Sequence, residues 1–217
     1  MPNLTSTAFS PGGLLANAIK GFAPRQAQTD MAQAVTDAIE QRGSLIVEAG
    51  TGTGKTFAYL VPALLADKKV IISTGTKNLQ EQLFHRDLPK IKAAMASGKS
   101  TALLKGRANY LCLYRLNQHT MHVPSNDKNL IADLNKVKHW SLETKSGDVG
   151  ELNSVAEQSQ VFPYITSNVD NCIGSDCPDF AECYLVKARK KALEADLVVV
   201  NHHLFFADLA LKDTGFG

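Results

Sequence analysis

Nine consecutive residues, Glu48-Ala49-Gly50-Thr51-Gly52-Thr53-Gly54-Lys55-Thr56, constrain this chain more than any other stretch. They match the phosphate-binding pattern G-x-x-x-x-G-K-[ST], except that Ala49 holds the first glycine position. The chemistry asks for a glycine-rich turn whose backbone N–H groups surround phosphate oxygens, a lysine reaching the β and γ phosphates, and a hydroxyl for Mg²⁺ where a helix starts. Gly50, Gly52 and Gly54 permit the turn around Thr51 and Thr53, Lys55 brings the charge, and Thr56 brings the hydroxyl. The apolar run Leu45 to Glu48 reads as the preceding strand and Thr56 to Ala66 as the following helix. With both flanks in place, a nucleoside triphosphate with Mg²⁺ is the expected ligand.

Three more β-branched runs, Val70 to Thr74, Ala102 to Lys105 and Leu197 to Asn201, have the composition of strands buried on both faces. Asn78 to Met95 reads as a helix, and Met31, Val35, Ala38 and Ile39 form an apolar stripe at helical spacing. This alternation predicts a P-loop α/β domain with a parallel sheet. About 90 residues separate Lys105 from Leu197, far more than a simple crossover needs. A small, mostly helical subdomain is therefore expected inside the α/β domain, with helices around Leu130 to Leu142 and Ala181 to Leu193 and polar loops at His119 to Asn129 and Glu143 to Asn153. The expected boundaries are 1–105 for the first part of the α/β domain, 106–186 for the insertion, and 187–217 for the return.

Composition excludes several classes. Of the 217 residues, 44% are apolar and 20% charged, which is globular and not disordered. A net charge of +2 gives no overall attraction to nucleic acid, so any such binding must use local patches. No apolar run approaches the roughly 20 residues of a membrane span. Met1 to Gly13 has neither the basic start nor the apolar core of a secretory signal, so a cytoplasmic protein is expected.

All four cysteines, Cys112, Cys172, Cys177 and Cys183, fall in the insertion, separated by 59, 4 and 5 residues. In a reducing compartment such a set reads as metal or cluster ligands before disulfides. Structural zinc favours paired C-x-x-C knuckles, and none is present, whereas a larger iron–sulfur cluster tolerates wide, uneven spacing. Spacing thus favours a cluster over zinc, and zinc over unligated buried cysteines. Next to Cys183 stands Lys187-Ala188-Arg189-Lys190-Lys191, and Lys105 and Arg107 precede Cys112. These cations can serve a phosphate backbone or simply solvate a helix face. Tyr110, Tyr114 and Tyr184 can stack on bases or pack a core. His202 and His203 project differently from a helix, so helix-start hydrogen bonding is expected for them and not a shared metal.

Taken in order, Gly21 to Gln28, Glu48 to Thr56, Ile71 to Thr76 with Leu79 to Leu83, Lys105 to Cys112, and Val198 to Phe205 resemble the bacterial DinG/YoaA branch of the XPD-like, superfamily two, iron–sulfur DNA helicases. The resemblance runs from about Phe9 to the last residue. It implies a RecA-like motor domain that binds ATP and Mg²⁺, with Lys55 and Thr56 as its motif I catalytic residues and Arg25 and Gln28 contacting the adenine. It implies a [4Fe–4S] cluster on Cys112, Cys172, Cys177 and Cys183, and a motif Ia beginning at Ser73, Thr74 and Gly75 that touches single-stranded DNA. Movement from 5′ to 3′ on single-stranded and forked DNA, and a role in repair or replication, are implied with it. A cluster would then rigidify an insertion too small for a good core of its own, beside a basic groove.

One part of the pattern is not found. No apolar run ends in an acidic pair that would hold Mg²⁺ from a second strand, since Asp196 precedes its strand and Asp208 lies in a helix-like segment. The expectation is an N-terminal helicase portion that binds nucleotide and does not unwind DNA by itself. The competing reading is a non-motor P-loop protein that senses nucleotide or redox state through a zinc or cluster domain. A helicase-derived protein that binds a replication partner is the third.

Overall fold

A computed structural model describes residues 4–121 and 127–213. It divides into two compact units, one formed by Met1–Leu103 with Glu194–Gly217, the other by Leu104–Leu193. The expected return at 187 falls inside a single helix, Tyr184–Glu194, which runs with the second unit almost to its end.

The first unit is built on a three-stranded parallel sheet of β1 (Val70–Thr74), β2 (Thr101–Leu103) and β3 (Leu197–Asn201), in the order β1-β3-β2. Residues Val70 to Thr74 pair with Leu197 to Asn201 in unbroken register, and Thr101 pairs with Leu197 on the other side. β3 takes the central place because Leu197, Val198, Val199 and Val200 have no polar face to turn to water, and all four are buried. The start of the sheet is tied by Asp196, whose carboxylate accepts both the backbone N–H and the hydroxyl of Ser100 at 2.7 Å.

Around the sheet pack helices α1 (Leu4–Phe9), α2 (Leu14–Ala18), α3 (Gln26–Gln41) and α4 (Lys55–Leu65). The expected helix from Asn78 to Met95 is α5 (Lys77–Gln82) and α6 (Leu88–Ala94) joined by one π-helical turn at Leu83–Asp87. Phe9, Leu15, Leu60, Val61, Leu88, Ile91, Leu197 and Val199 form the core. Helix α4 is the most deeply set, with Ala58 and Leu60 to Leu64 buried, which anchors the loop in front of it.

The fourth expected strand, Leu45 to Glu48, is not one. Ile46 is 97% exposed and no ladder involves the segment. Leu45 and Val47 line a surface groove with Val35, Ile39, Val70 and Ile71. An apolar run becomes a strand only when its backbone groups find a neighbour to pair with, and here they find none among the described residues.

The second unit is mainly helical. Helices α7 (Leu113–Met121), α8 (Lys128–Ser141) and α9 (Phe162–Ile165) precede α10, the Tyr184–Glu194 helix. Its own core of Leu111, Leu116, Leu130, Leu134, Val137, Leu152, Val161 and Ile165 corrects the expectation of an insertion too small for a good one. The polar loop expected from His119 to Asn129 gives its ends to α7 and α8, and positions 122–126 lie outside the described residues. Within Glu143 to Asn153 the chain makes turns and a short 3-10 helix, Val149–Glu151, as a loop would. The final helix, α11 (His202–Asp213), belongs to the first unit.

Candidate functional site

The phosphate-binding loop opens helix α4. Gly52 and Gly54 lie at φ +75° and +87°, the left-handed region where a β-carbon is costly, whereas Gly50 does not. Gly54 is the residue before the first helical turn, so the positive end of an eleven-residue helix faces the loop. The Thr53 hydroxyl donates to the Gly50 carbonyl at 2.9 Å. Lys55 Nζ donates to the carbonyls of Ala49 and Gly50 at 2.6 Å each, which holds the ammonium within the curl of the loop.

Two residues of α3 and its approach brace this curl. Arg25 Nη1 donates to the Gly52 carbonyl at 2.7 Å, and Gln28 Nε2 donates to the Gly54 carbonyl at 3.1 Å. Gln28 is buried. Both were expected at an adenine, and both are bonded to the loop itself. Sequence reasoning missed Tyr59, one turn into α4. Its phenol is pushed above its ordinary pKa, first by burial, then by the negative charge of Asp87, against a hydrogen bond with the Thr56 side chain that lowers it. The i, i+3 spacing of Thr56 and Tyr59 on a helix was the available signal.

Ser73, Thr74 and Gly75 follow one another off the carboxyl end of β1, next to Asn201 and His202 at the end of β3. Thr74 Oγ1 donates to the carbonyls of Thr76 and Val200 at 3.3 and 3.4 Å. Ser73 Oγ lies 2.7 Å from His202 Nδ1. Helix-start hydrogen bonding falls to Asn201, whose side-chain oxygen accepts the Leu204 N–H at 2.8 Å. His202 bonds across to Ser73 instead.

In the second unit the four cysteines line one cavity of about 120 Å³, together with Arg107, Tyr110, Leu113, Tyr114, Phe180 and Arg189. None forms a disulfide, and each is partly exposed. Cys112 is fixed by its N–H to the Ile165 carbonyl at 2.7 Å, and Cys183 by its carbonyl, which accepts the Lys187 N–H at 3.0 Å and so opens α10. Burial pushes the Cys112 thiol up, opposed by a backbone hydrogen bond from Arg115 and reinforced by the nearby Cys177, Cys183 and Cys172 sulfurs. Among the described residues no three His, Cys, Asp or Glu side chains converge as a group able to hold a metal ion.

The cations expected at DNA divide. Lys105 is buried and ion-paired with Asp148, whose other oxygen accepts the Gly150 N–H at 2.9 Å, so its ammonium is not offered to a phosphate. This corrects the expectation for Lys105. Lys187 is exposed and ion-paired with Glu182. Arg189, Lys190 and Lys191 are exposed on α10, and Arg107 lines the cysteine cavity.

A phosphate-binding loop of this geometry, opening a buried helix beside a parallel sheet, defines a P-loop nucleotide-binding fold of the RecA-like kind. The DEAD/DEAH box helicase family matches residues 28–124, which include Gln28, the whole loop and Ser73 to Gly75. Along 99% of its length the chain is 57% identical to the ATP-dependent DNA helicase YoaA of Haemophilus influenzae, covering 34% of that protein. It is 36% identical over 94% of its length to the ATP-dependent helicase DinG of Mycobacterium tuberculosis, again covering 34%. A third relative, the 3′-5′ exonuclease DinG of Bacillus subtilis, is 33% identical over 89% of the chain and is covered to 21%. Residues 28–124 form a DEAD/DEAH box helicase domain, and the chain spans about a third of the length of the YoaA and DinG relatives of Haemophilus influenzae and Mycobacterium tuberculosis. No helix among the described residues is long and apolar enough to cross a membrane.

Proposed function

We propose that this chain is the ATP-binding and cluster-bearing part of an ATP-dependent DNA helicase that moves 5′ to 3′ in the bacterial cytoplasm. The observation that carries the reading is the loop from Gly50 to Thr56, braced by Arg25 and Gln28 through its own carbonyls. In this reading Lys55 offsets the β and γ phosphate charge, Thr56 supplies a hydroxyl to Mg²⁺, and Arg25 and Gln28 contact the adenine beside the loop they brace. Single-stranded DNA is contacted by the Ser73 to Gly75 loop and, in the second unit, by Arg107, Arg189, Lys190 and Lys191.

Cys112, Cys172, Cys177 and Cys183 would hold a [4Fe–4S] cluster. What supports this is that all four thiols line one cavity and none is in a disulfide. When bound, a cluster supplies a covalent cross-link between cysteines with 59, 4 and 5 residues between them. A helicase-named kinship at 57% identity supports the helicase reading over a free-standing nucleotide sensor.

The test is ATP·Mg²⁺ affinity of the chain and of Lys55→Ala. A loss of at least about tenfold is expected, because a charge-assisted phosphate contact is removed. Equal affinity in the two proteins would refute the assignment of the loop.

A further inference from the structure

We propose that His202 is a positioning residue for single-stranded DNA, acting through Ser73. The inference rests on the reading of Ser73 to Gly75 as a DNA-contacting loop. Ser73 and His202 are 129 residues apart in sequence and 2.7 Å apart in space, because β1 and β3 run parallel in register and end side by side.

The imidazole is exposed and has two neighbours besides Ser73. Its Cδ2 and Nε2 atoms lie 3.6 and 3.7 Å from where a β-carbon on Gly75 would sit, so the ring rests over a residue that has no side chain. The Phe206 ring, one helical turn along α11, stands 6.0 Å away between centroids, tilted by 59°. A ring located in this way fixes the direction of the Ser73 hydroxyl, which would otherwise rotate freely.

The pair also has a simple donor balance. If Nδ1 accepts the Ser73 O–H, the ring keeps an N–H at Nε2. If Nδ1 donates, Ser73 keeps its O–H. The positioning role belongs to the second tautomer, in which Nδ1–H holds the Ser73 oxygen and the Ser73 O–H is left for a phosphate oxygen. Thr74 cannot take this role, since its hydroxyl is spent on the carbonyls of Thr76 and Val200. His203, the adjacent residue, points elsewhere on the helix.

The experiment is fluorescence anisotropy of a labelled single-stranded oligonucleotide at low salt. It compares the full chain with Ser73→Ala, His202→Ala, the double variant and His202→Asn, with thermal unfolding as the control for fold. Ser73→Ala and His202→Ala should each weaken binding about tenfold, as for a lost hydrogen bond to a charged group. The double variant should be no weaker than either single one, since both remove the same contact. His202→Asn keeps a polar atom near the Nδ1 position and should restore parental affinity.

Parental affinity in His202→Ala beside a weakened Ser73→Ala would overturn the inference and leave the DNA reading intact. Parental affinity in Ser73→Ala would remove the DNA reading of this loop, and the inference with it. If His202→Ala does not fold, His202→Asn decides: parental affinity supports the positioning role, and affinity at the level of Ser73→Ala overturns it.

Discussion

Gln28 stands where a β-carbon on Gly54 would have to go. An ideal Cβ there would lie 2.2 Å from Gln28 Nε2, and that same amide donates to the Gly54 carbonyl at 3.1 Å. The close approach lets a buried side chain of α3 hold the last turn of the phosphate loop. Gly54→Ala would therefore suffer twice, from a left-handed φ and from a collision with Gln28. Gln28→Ala leaves the space open but releases the carbonyl. Both variants should lose ATP affinity, Gln28→Ala by about tenfold as for one net hydrogen bond with its ordering effect. Isothermal titration with ATP·Mg²⁺ checks this, and parental affinity in Gln28→Ala would show that the loop holds itself.

The buried pair of Lys105 and Asp148 makes a different kind of claim. Breaking such a pair from one side leaves an uncompensated buried charge, at a cost of about 3–5 kcal/mol. Lys105→Met should thus destabilise the second unit strongly, while Lys105→Met with Asp148→Leu recovers much of the loss. Denaturant unfolding of the single and double variants reads the difference. A single variant as stable as the parent would place Lys105 in solvent, where the original DNA role awaits it.

Arg189, Lys190 and Lys191 are the exposed cations of α10 without a described carboxylate partner, unlike Lys187 with Glu182. Replacing all three by Gln should weaken single-stranded DNA binding and flatten its salt dependence. At about 0.7 released counterions per phosphate contact, the slope of log affinity against log salt should fall by about 2. An unaltered slope would put the DNA elsewhere.

Asp196 supplies a pH test of the first unit. Its hydrogen bonds from the Ser100 side chain, and then from the Ser100 backbone, hold its carboxyl below the usual carboxylate range. The folded state therefore binds this proton less tightly than the unfolded chain, whose carboxyl titrates near about 3.9. The stabilisation is complete above that value and is lost as pH falls through the lower folded one. Asp196→Asn should melt below the parent at pH 7, and the gap should close as the pH is taken below 4. A gap that does not change with pH would mean the charge is immaterial.

Much of this arrangement was legible along the chain, and the parts that were not share a physical cause. The phosphate loop is chemistry written in consecutive residues, so Lys55 and Thr56 could be read with their neighbours. The burial of Leu197 to Val200 followed from a run with no polar face, and α3 from the stripe of Met31, Val35 and Ile39. Leu45 to Glu48 has the same composition as a strand yet lacks a pairing partner, which composition does not encode. Lys105 looks like a solvent cation until Asp148, 43 positions on, is brought to it by folding. The bonds from Arg25 and Gln28 to the loop and from His202 to Ser73 are equally matters of tertiary position. The core of the second unit was harder to read because, beyond Leu130, Leu134 and Val137 on α8, its apolar residues are spread over short helices and loops.

The central claim is that a nucleotide-binding domain carries an iron–sulfur cluster on its four cysteines. It is tested most directly by iron, acid-labile sulfide and zinc content, with the visible spectrum, of the chain purified without oxygen, beside Cys177→Ser. The account expects about four irons with matching sulfide and a broad brown absorbance in the parent, as a four-thiolate cluster requires, and their loss in the variant. Stoichiometric zinc without sulfide, persisting after anaerobic cluster reconstitution, would contradict it.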